Sequence, residues 1–287
     1  MKVRPMVLSA LAGAAFIGLL ALPWNVRAQG GACNENSETD CVDWEQGFAY
    51  SHGSGAPANW ATTAAQKNLS AQRAARLDAA RNLLELVRGI SVSADTTVGQ
   101  AMVQSDRVQT AIQGRIAGLR LIGEPKYFSD GSIQVRMAAR LREIVPEEVY
   151  LSGPPQQLGP PTQIGGGAAR VDTKQTYSGL IIDARGTGVL PAMSPKVIDP
   201  EGREVYGSAY VTREFAVQQG IAGYAKNVEA ARTNDRVKGN PLVIKGLEAK
   251  GQNKADVVIG AEDANALREL AQNQNFMRQT RVMIVLD

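Results

Sequence analysis

The chain has 287 residues, 44% of them apolar, and a formal net charge of +3, which suits one large or two ordinary domains. The charge excess sits at the front: residues 1–28 hold Lys2, Arg4 and Arg27 and no acid, so the remaining 259 residues carry 28 basic against 28 acidic side chains. A neutral body lacks the basic surplus needed to neutralise several phosphates at once, and this argues against nucleic acid as a partner.

Lys2 and Arg4 precede an apolar run over residues 6–22, then Pro23 and the sequence Val26-Arg27-Ala28. That order is the charged, apolar and cleavage-region pattern of a secretory signal peptide, with cleavage expected between Ala28 and Gln29. The run is shorter than the roughly 20 residues of a membrane span. Export to the periplasm is the expectation. Cys33 and Cys41, the two cysteines of the chain, then lie in a compartment that permits a disulfide. They either bridge and tie down the start of the mature chain or remain two thiols in a loose arm. Trp24, Asn25, Arg27 and Gln29 separate the apolar run from Cys33, so no direct lipid anchor is expected.

Residues 29–60 hold five acids, no Lys or Arg, and the aromatics Trp44, Phe48, Tyr50 and Trp60. The segment reads as a flexible lead-in whose aromatics cover the first domain, or as an arm docking Trp44, Phe48 and Trp60 on a neighbouring subunit. The first domain is expected over residues 61–150. A helix is predicted over 63–88, with Leu69, Leu77, Ala80, Leu84 and Val87 on its buried face and Gly89 as its stop. A short strand at 90–93 and a helix at 97–115, burying Ala101, Val108 and Ile112, come next. Strands at 119–128 and 132–142 flank Ser129-Asp130-Gly131, a hairpin signal. The expected unit is an α-β-α-β-β two-layer module.

Residues 152–168 contain five glycines and four prolines and read as a linker, within a boundary region of 151–175. The second domain, residues 176–287, is expected to be a mixed sheet with helices, which makes the whole chain α+β and α/β in two small domains. Its predicted elements are a buried strand at 180–182, a hairpin about Pro200-Glu201-Gly202 and a helix over 214–232. Strands at 242–249 and 255–259, a helix at 261–275 and a strand at 282–286 complete it. The last three elements look like a right-handed βαβ crossover.

The motif inventory is sparse. His52 is the one histidine, so a serine–histidine triad or most zinc sites would have to use it, and it falls among glycines in the acidic segment. Gly186-Thr187-Gly188 begins like a dinucleotide loop, but Pro191 stands where the third glycine belongs. No catalytic, metal or cofactor residues are assigned, and no enzyme is expected. Asp183, Arg185, Gly186 and Gly188 form the candidate interaction loop. Arg185 suits a carboxylate or phosphate fork, and the alternative is an aspartate turn closed by its own arginine.

Residues 71–85, Ala-Gln-Arg-Ala-Ala-Arg-Leu-Asp-Ala-Ala-Arg-Asn-Leu-Leu-Glu, resemble the twenty-kilodalton outer-membrane lipoprotein family of bacteria. The likeness continues through Val87-Arg88-Gly89-Ile90, Thr96-Thr97-Val98 and the Asp130-Gly131-Ser132 hairpin, covering about residues 60–145. The same module resembles the N-terminal domain of flagellar assembly protein T and flagellar protein P. The resemblance implies a non-enzymatic scaffold that oligomerises or docks on envelope proteins near the outer membrane, in a flagellar-associated periplasmic ring. A periplasmic ligand-binding protein using the C-terminal domain is the second expectation.

Overall fold

The computed structural model describes residues 33–151 and 171–287. Ala28, Gln29 and the linker stretch 152–168 lie outside them. The protein is a mixed α/β structure with two sheets, one per domain.

The first sheet contains β1 (Cys41–Asp43), β2 (Phe48–Gly55), β3 (Leu121–Tyr127) and β4 (Ile133–Arg140), in the order β1-β2-β4-β3 and antiparallel throughout. The acidic segment is therefore neither lead-in nor arm. It supplies an edge strand and a central strand, and β2 pairs with β4 over its full length from Phe48↔Arg140 to Gly55↔Ile133. Alternation explains the placement: Ala49, Ser51, Gly53 and Gly55 point inward from β2, as Ile133, Val135, Met137 and Ala139 do from β4.

Helix α1 (Ala64–Arg88) covers that inner face. Thr63 and Gln66 form a reciprocal capping box at its start. The buried residues are Ala71, Ala75, Ala79, Leu83 and Val87; of the face expected from the sequence, Val87 is buried and Ala80 and Leu84 pack partly buried on the core, but its other two leucines do not. Leu69 and Leu77 are 58% and 68% exposed. The reason is close approach. A Cβ on Gly53 would lie 2.1 Å from the Ala79 nitrogen, and one on Gly55 would lie 2.2 Å from the Ala71 carbonyl oxygen. Helix and strand touch backbone to backbone there, and only the alanine stripe fits. The buried Ser51 hydroxyl donates to the Ala79 carbonyl at 2.9 Å, and the Ser54 amide donates to Asp78 at 2.9 Å.

The expected strand at 90–93 is a single bridge, Ser91↔Thr97. The expected second helix is two: α2 (Val98–Gln104) and α3 (Asp106–Ala117), broken at Ser105, whose hydroxyl caps the second. Two single turns, α4 (Leu141–Ile144) and α5 (Glu147–Tyr150), close the domain.

In the second domain β5 (Gly179–Asp183) is an interior strand of a seven-stranded sheet. The other strands are β6 (Val197–Ile198), β7 (Glu204–Tyr206), β8 (Gly223–Ala225), β9 (Pro241–Lys250), β10 (Asp256–Ile259) and β11 (Val282–Val285). Their order is β7-β6-β10-β9-β5-β11-β8. The central strands are buried on both faces: Leu180 and Ile182 face one core, and Ile181 faces another with Met283 and Val285.

Two expectations fail in this domain. The helix expected over 214–232 is α6 (Arg213–Gln219), strand β8 and α7 (Val228–Thr233). Gly220, at φ +81°, ends the first helix, and Gly223 permits a strand that pairs parallel with β11. The βαβ reading of β10, α8 (Ala261–Asn273) and β11 also fails. β10 runs antiparallel to β9, whereas β9, β5 and β11 run parallel, so β10 and β11 point in opposite directions. The hairpin at 250–256 reverses the chain, with Gly251 and Lys254 at positive φ.

Candidate functional site

The two domains meet along a seam made largely of main chain. The Met193 and Ser194 amides donate to the carbonyls of Ser91 and Val92 at 3.0 and 2.7 Å, and the Asn253 amide donates to Ala94 at 2.7 Å. The Asn253 side chain donates to the Ser93 carbonyl at 3.0 Å. Gly251 is required here, since a Cβ on it would lie 2.3 Å from that of Ala94. Met193 inserts into the first domain's core. Arg213 and Glu147 form an ion pair across the seam.

A cavity of about 320 Å³ opens beside this seam. Trp44 hangs into it from the β1–β2 turn, where Asp43 accepts the Gln46 amide at 3.0 Å. Its ring meets the edge of Tyr224 at a centroid distance of 5.7 Å and 76°. Trp44 packs on both domain cores. Of the three docking aromatics expected from the sequence, it alone reaches the seam. Phe48 stacks on Tyr50 at 5.9 Å under the Arg140 guanidinium, and Trp60 is 67% exposed before α1.

Two arginines line the cavity. Arg142 donates through Nη1 to the carbonyls of Val217 and Gln218. Arg236 donates through Nη1 to Gly220 and to Thr280, the latter at 2.7 Å, and through Nη2 to Gln219. Four consecutive carbonyls at the C-terminal end of α6 thus receive two guanidiniums, one from each domain. Neither has a carboxylate within ion-pair distance among the described residues. Burial lowers the Arg236 pKa to about 10, and burial with the nearby Arg140 lowers that of Arg142. Both remain charged at neutral pH. Tyr224 donates to the Ala192 carbonyl at 2.7 Å, and burial pushes its phenol up. Thr280 is buried at φ 54°, a strained setting for a β-branched residue, and its hydroxyl has no hydrogen-bond partner among the described residues.

The loop expected to interact is closed on itself. The Arg185 guanidinium forks onto Asp183 at 2.8 and 3.0 Å, and Lys245 reaches the same carboxylate at 3.4 Å. The Arg185 fork, seconded by Lys245, holds Asp183 down at about 2. Gly186 turns the chain at φ +76° and donates its amide to Asp287, and Gly188 is at φ +72°. This is the aspartate turn closed by its own arginine. His52 is not in a loop but on β2, with its Nδ1 3.1 Å from Asp40. No group of three or more His, Cys, Asp or Glu side chains among the described residues is placed to hold a metal ion. Cys33 and Cys41 form a disulfide with Cα atoms 5.9 Å apart.

Sequence reasoning missed Arg142, Arg236 and Tyr224. Each lies in a segment read as regular secondary structure or passed over. The glycines at 220 and 223 were the available signal, because they break the helix whose end the arginines cap.

Residues 179–287 match a family described as Treponema pallidum Tp0624, second domain. The match begins at the first residue of β5 and runs to the end of the chain, so it covers the second domain. No curated protein matches the chain.

Proposed function

We propose that this chain is an exported assembly module of the bacterial cell envelope, held in place by protein contacts. The observation that carries this reading is the outer face of α1. Leu69 and Leu77 stand 58% and 68% exposed on a 25-residue helix whose inner face is fully committed to the sheet. Large apolar side chains on the far side of a structural helix suit a contact with another protein. Tyr127, at the end of β3, accepts a hydrogen bond from Gln72 on the flank of the helix at 3.3 Å.

The seam supports the same reading. Main-chain pairing and the Trp44 wedge make the two domains one unit, as a scaffold component requires. The Cys33–Cys41 bridge supports an oxidising compartment, in keeping with the signal-peptide pattern. The flagellar periplasmic ring is the specific setting implied by the resemblance of residues 60–145.

Affinity capture of the tagged full chain from its native envelope tests the proposal. Wild type is expected to retain its own copies or a defined envelope protein, and Leu69→Glu/Leu77→Glu is expected to lose them while keeping the wild-type circular dichroism spectrum. Equal recovery with both proteins, or none with wild type, would contradict it.

A further inference from the structure

We infer that the cavity between the domains is a binding site for a small organic oxyanion, a carboxylate or phosphate monoester carried on an apolar or aromatic body. The argument begins with charge. Arg142 and Arg236 bring two full positive charges to one half-enclosed space without a carboxylate partner among the described residues. Their contacts are main-chain carbonyls, four at the end of α6 and that of Thr280, and a helix end supplies at most about half a negative charge. Dipoles thus face the two guanidiniums where a carboxylate in contact would neutralise them, in a half-buried setting that favours an anion. The acids in the lining do not offset the charge. Glu45 is exposed, and the 97% exposed Asp235 carboxylate lies 3.8 Å from Lys238.

Geometry supplies the rest. Arg142 spends only Nη1 on the protein, so its Nε and Nη2 edge is unused among the described residues. That edge is the fork that grips two oxygens of a carboxylate or phosphate. The Nε of Arg236 likewise donates to no acceptor among the described residues, and it packs against Gly223 beside the Met283 sulfur. Trp44, Tyr150, Tyr224, Met193 and Met283 provide apolar walls. The volume fits a small ligand and is at the lower end for such sites. The site needs both domains, since Arg142 and Trp44 come from the first and Arg236 and Tyr224 from the second. It is independent of the α1 outer face, so either reading can fail without the other.

Isothermal titration calorimetry on the full mature chain at fixed ionic strength tests the inference, with phenyl phosphate and benzoate as probes and phenol as their uncharged counterpart. At least one anion is expected to bind at one site per chain and phenol at least tenfold more weakly. Arg142→Gln is expected to weaken the anion about tenfold or more. Arg142→Lys keeps the charge and loses the fork, so it is expected to show a smaller loss and serves if the Gln variant does not fold. No saturable heat from either anion up to about 10 mM, phenol binding as tightly as the anions, or wild-type affinity in the folded Arg142 variants would overturn the site.

Discussion

The seam between α1 and β2 and the central sheet of the second domain solve the packing problem in opposite ways. In the first, Gly53 and Gly55 lie under Ala71, Ala75 and Ala79, and backbone touches backbone. In the second, Leu180, Ile181, Ile182, Met283 and Ile284 fill both faces of the sheet with large side chains. A seam with no room fails when atoms are added, whereas a core built of large groups fails when they are removed. The contrast also divides the surface: where α1 buries Ala71, Ala75 and Ala79, it leaves Leu69 and Leu77 outside.

The largest effect should come from breaking the first seam. Gly53→Val places atoms inside the α1 backbone, and a loss of about 3 kcal/mol or more, or no folded protein, is expected in urea titration. Ile181→Ala removes atoms from the opposite kind of core and should cost about 2–5 kcal/mol by the same measurement. If Gly53→Val proved the milder of the two, the close approach of α1 to β2 would be wrong.

Removing the bridge with Cys33→Ser/Cys41→Ser opens a short loop at the sheet edge. A loss of about 2 kcal/mol is expected, matched by reduction of the wild type. Asp256, at the start of β10, sharpens the comparison on the domain seam. Burial raises its carboxyl to about 6, with Asp95 and Glu204 adding and Lys196 opposing. The folded protein therefore binds a proton more tightly than the unfolded chain, and stability should fall as pH rises from about 4 to about 6. Asp256→Asn should stabilise by about 1 kcal/mol at pH 7–8 and have little effect at pH 4, with screening included. Thermal melts of both proteins across that range provide the check. The smallest effect is assigned to Leu77→Ala, within about 0.5 kcal/mol of wild type.

How much of this was legible in the sequence follows the same division. The hairpin at Ser129-Asp130-Gly131, the strands of the second domain other than β8 and the long span of α1 are legible, because large side chains and turn residues announce themselves. The face of α1 departs from expectation at Leu69 and Leu77 because periodicity weights leucine above alanine, and nothing in a single sequence says that Gly53 and Gly55 will press against the helix. The acidic segment hid a central strand for the same reason: its inward positions are Ala49, Ser51, Gly53 and Gly55. The direction of β10 depended on one hairpin. At the candidate sites, the local pairing of Asp183 with Arg185 was within reach of sequence reasoning, whereas Arg142 and Arg236 meet only because two domains close over one helix end.

The outer face of α1 is where the packing meets the proposed function, and native mass spectrometry of the chain from Gln29 onward tests that link most directly. With rising concentration, or after addition of envelope extract, the account predicts a defined oligomer or complex in the wild type. Leu69→Glu/Leu77→Glu should reduce it to the monomer without unfolding. A wild type that stays strictly monomeric and captures nothing would contradict it.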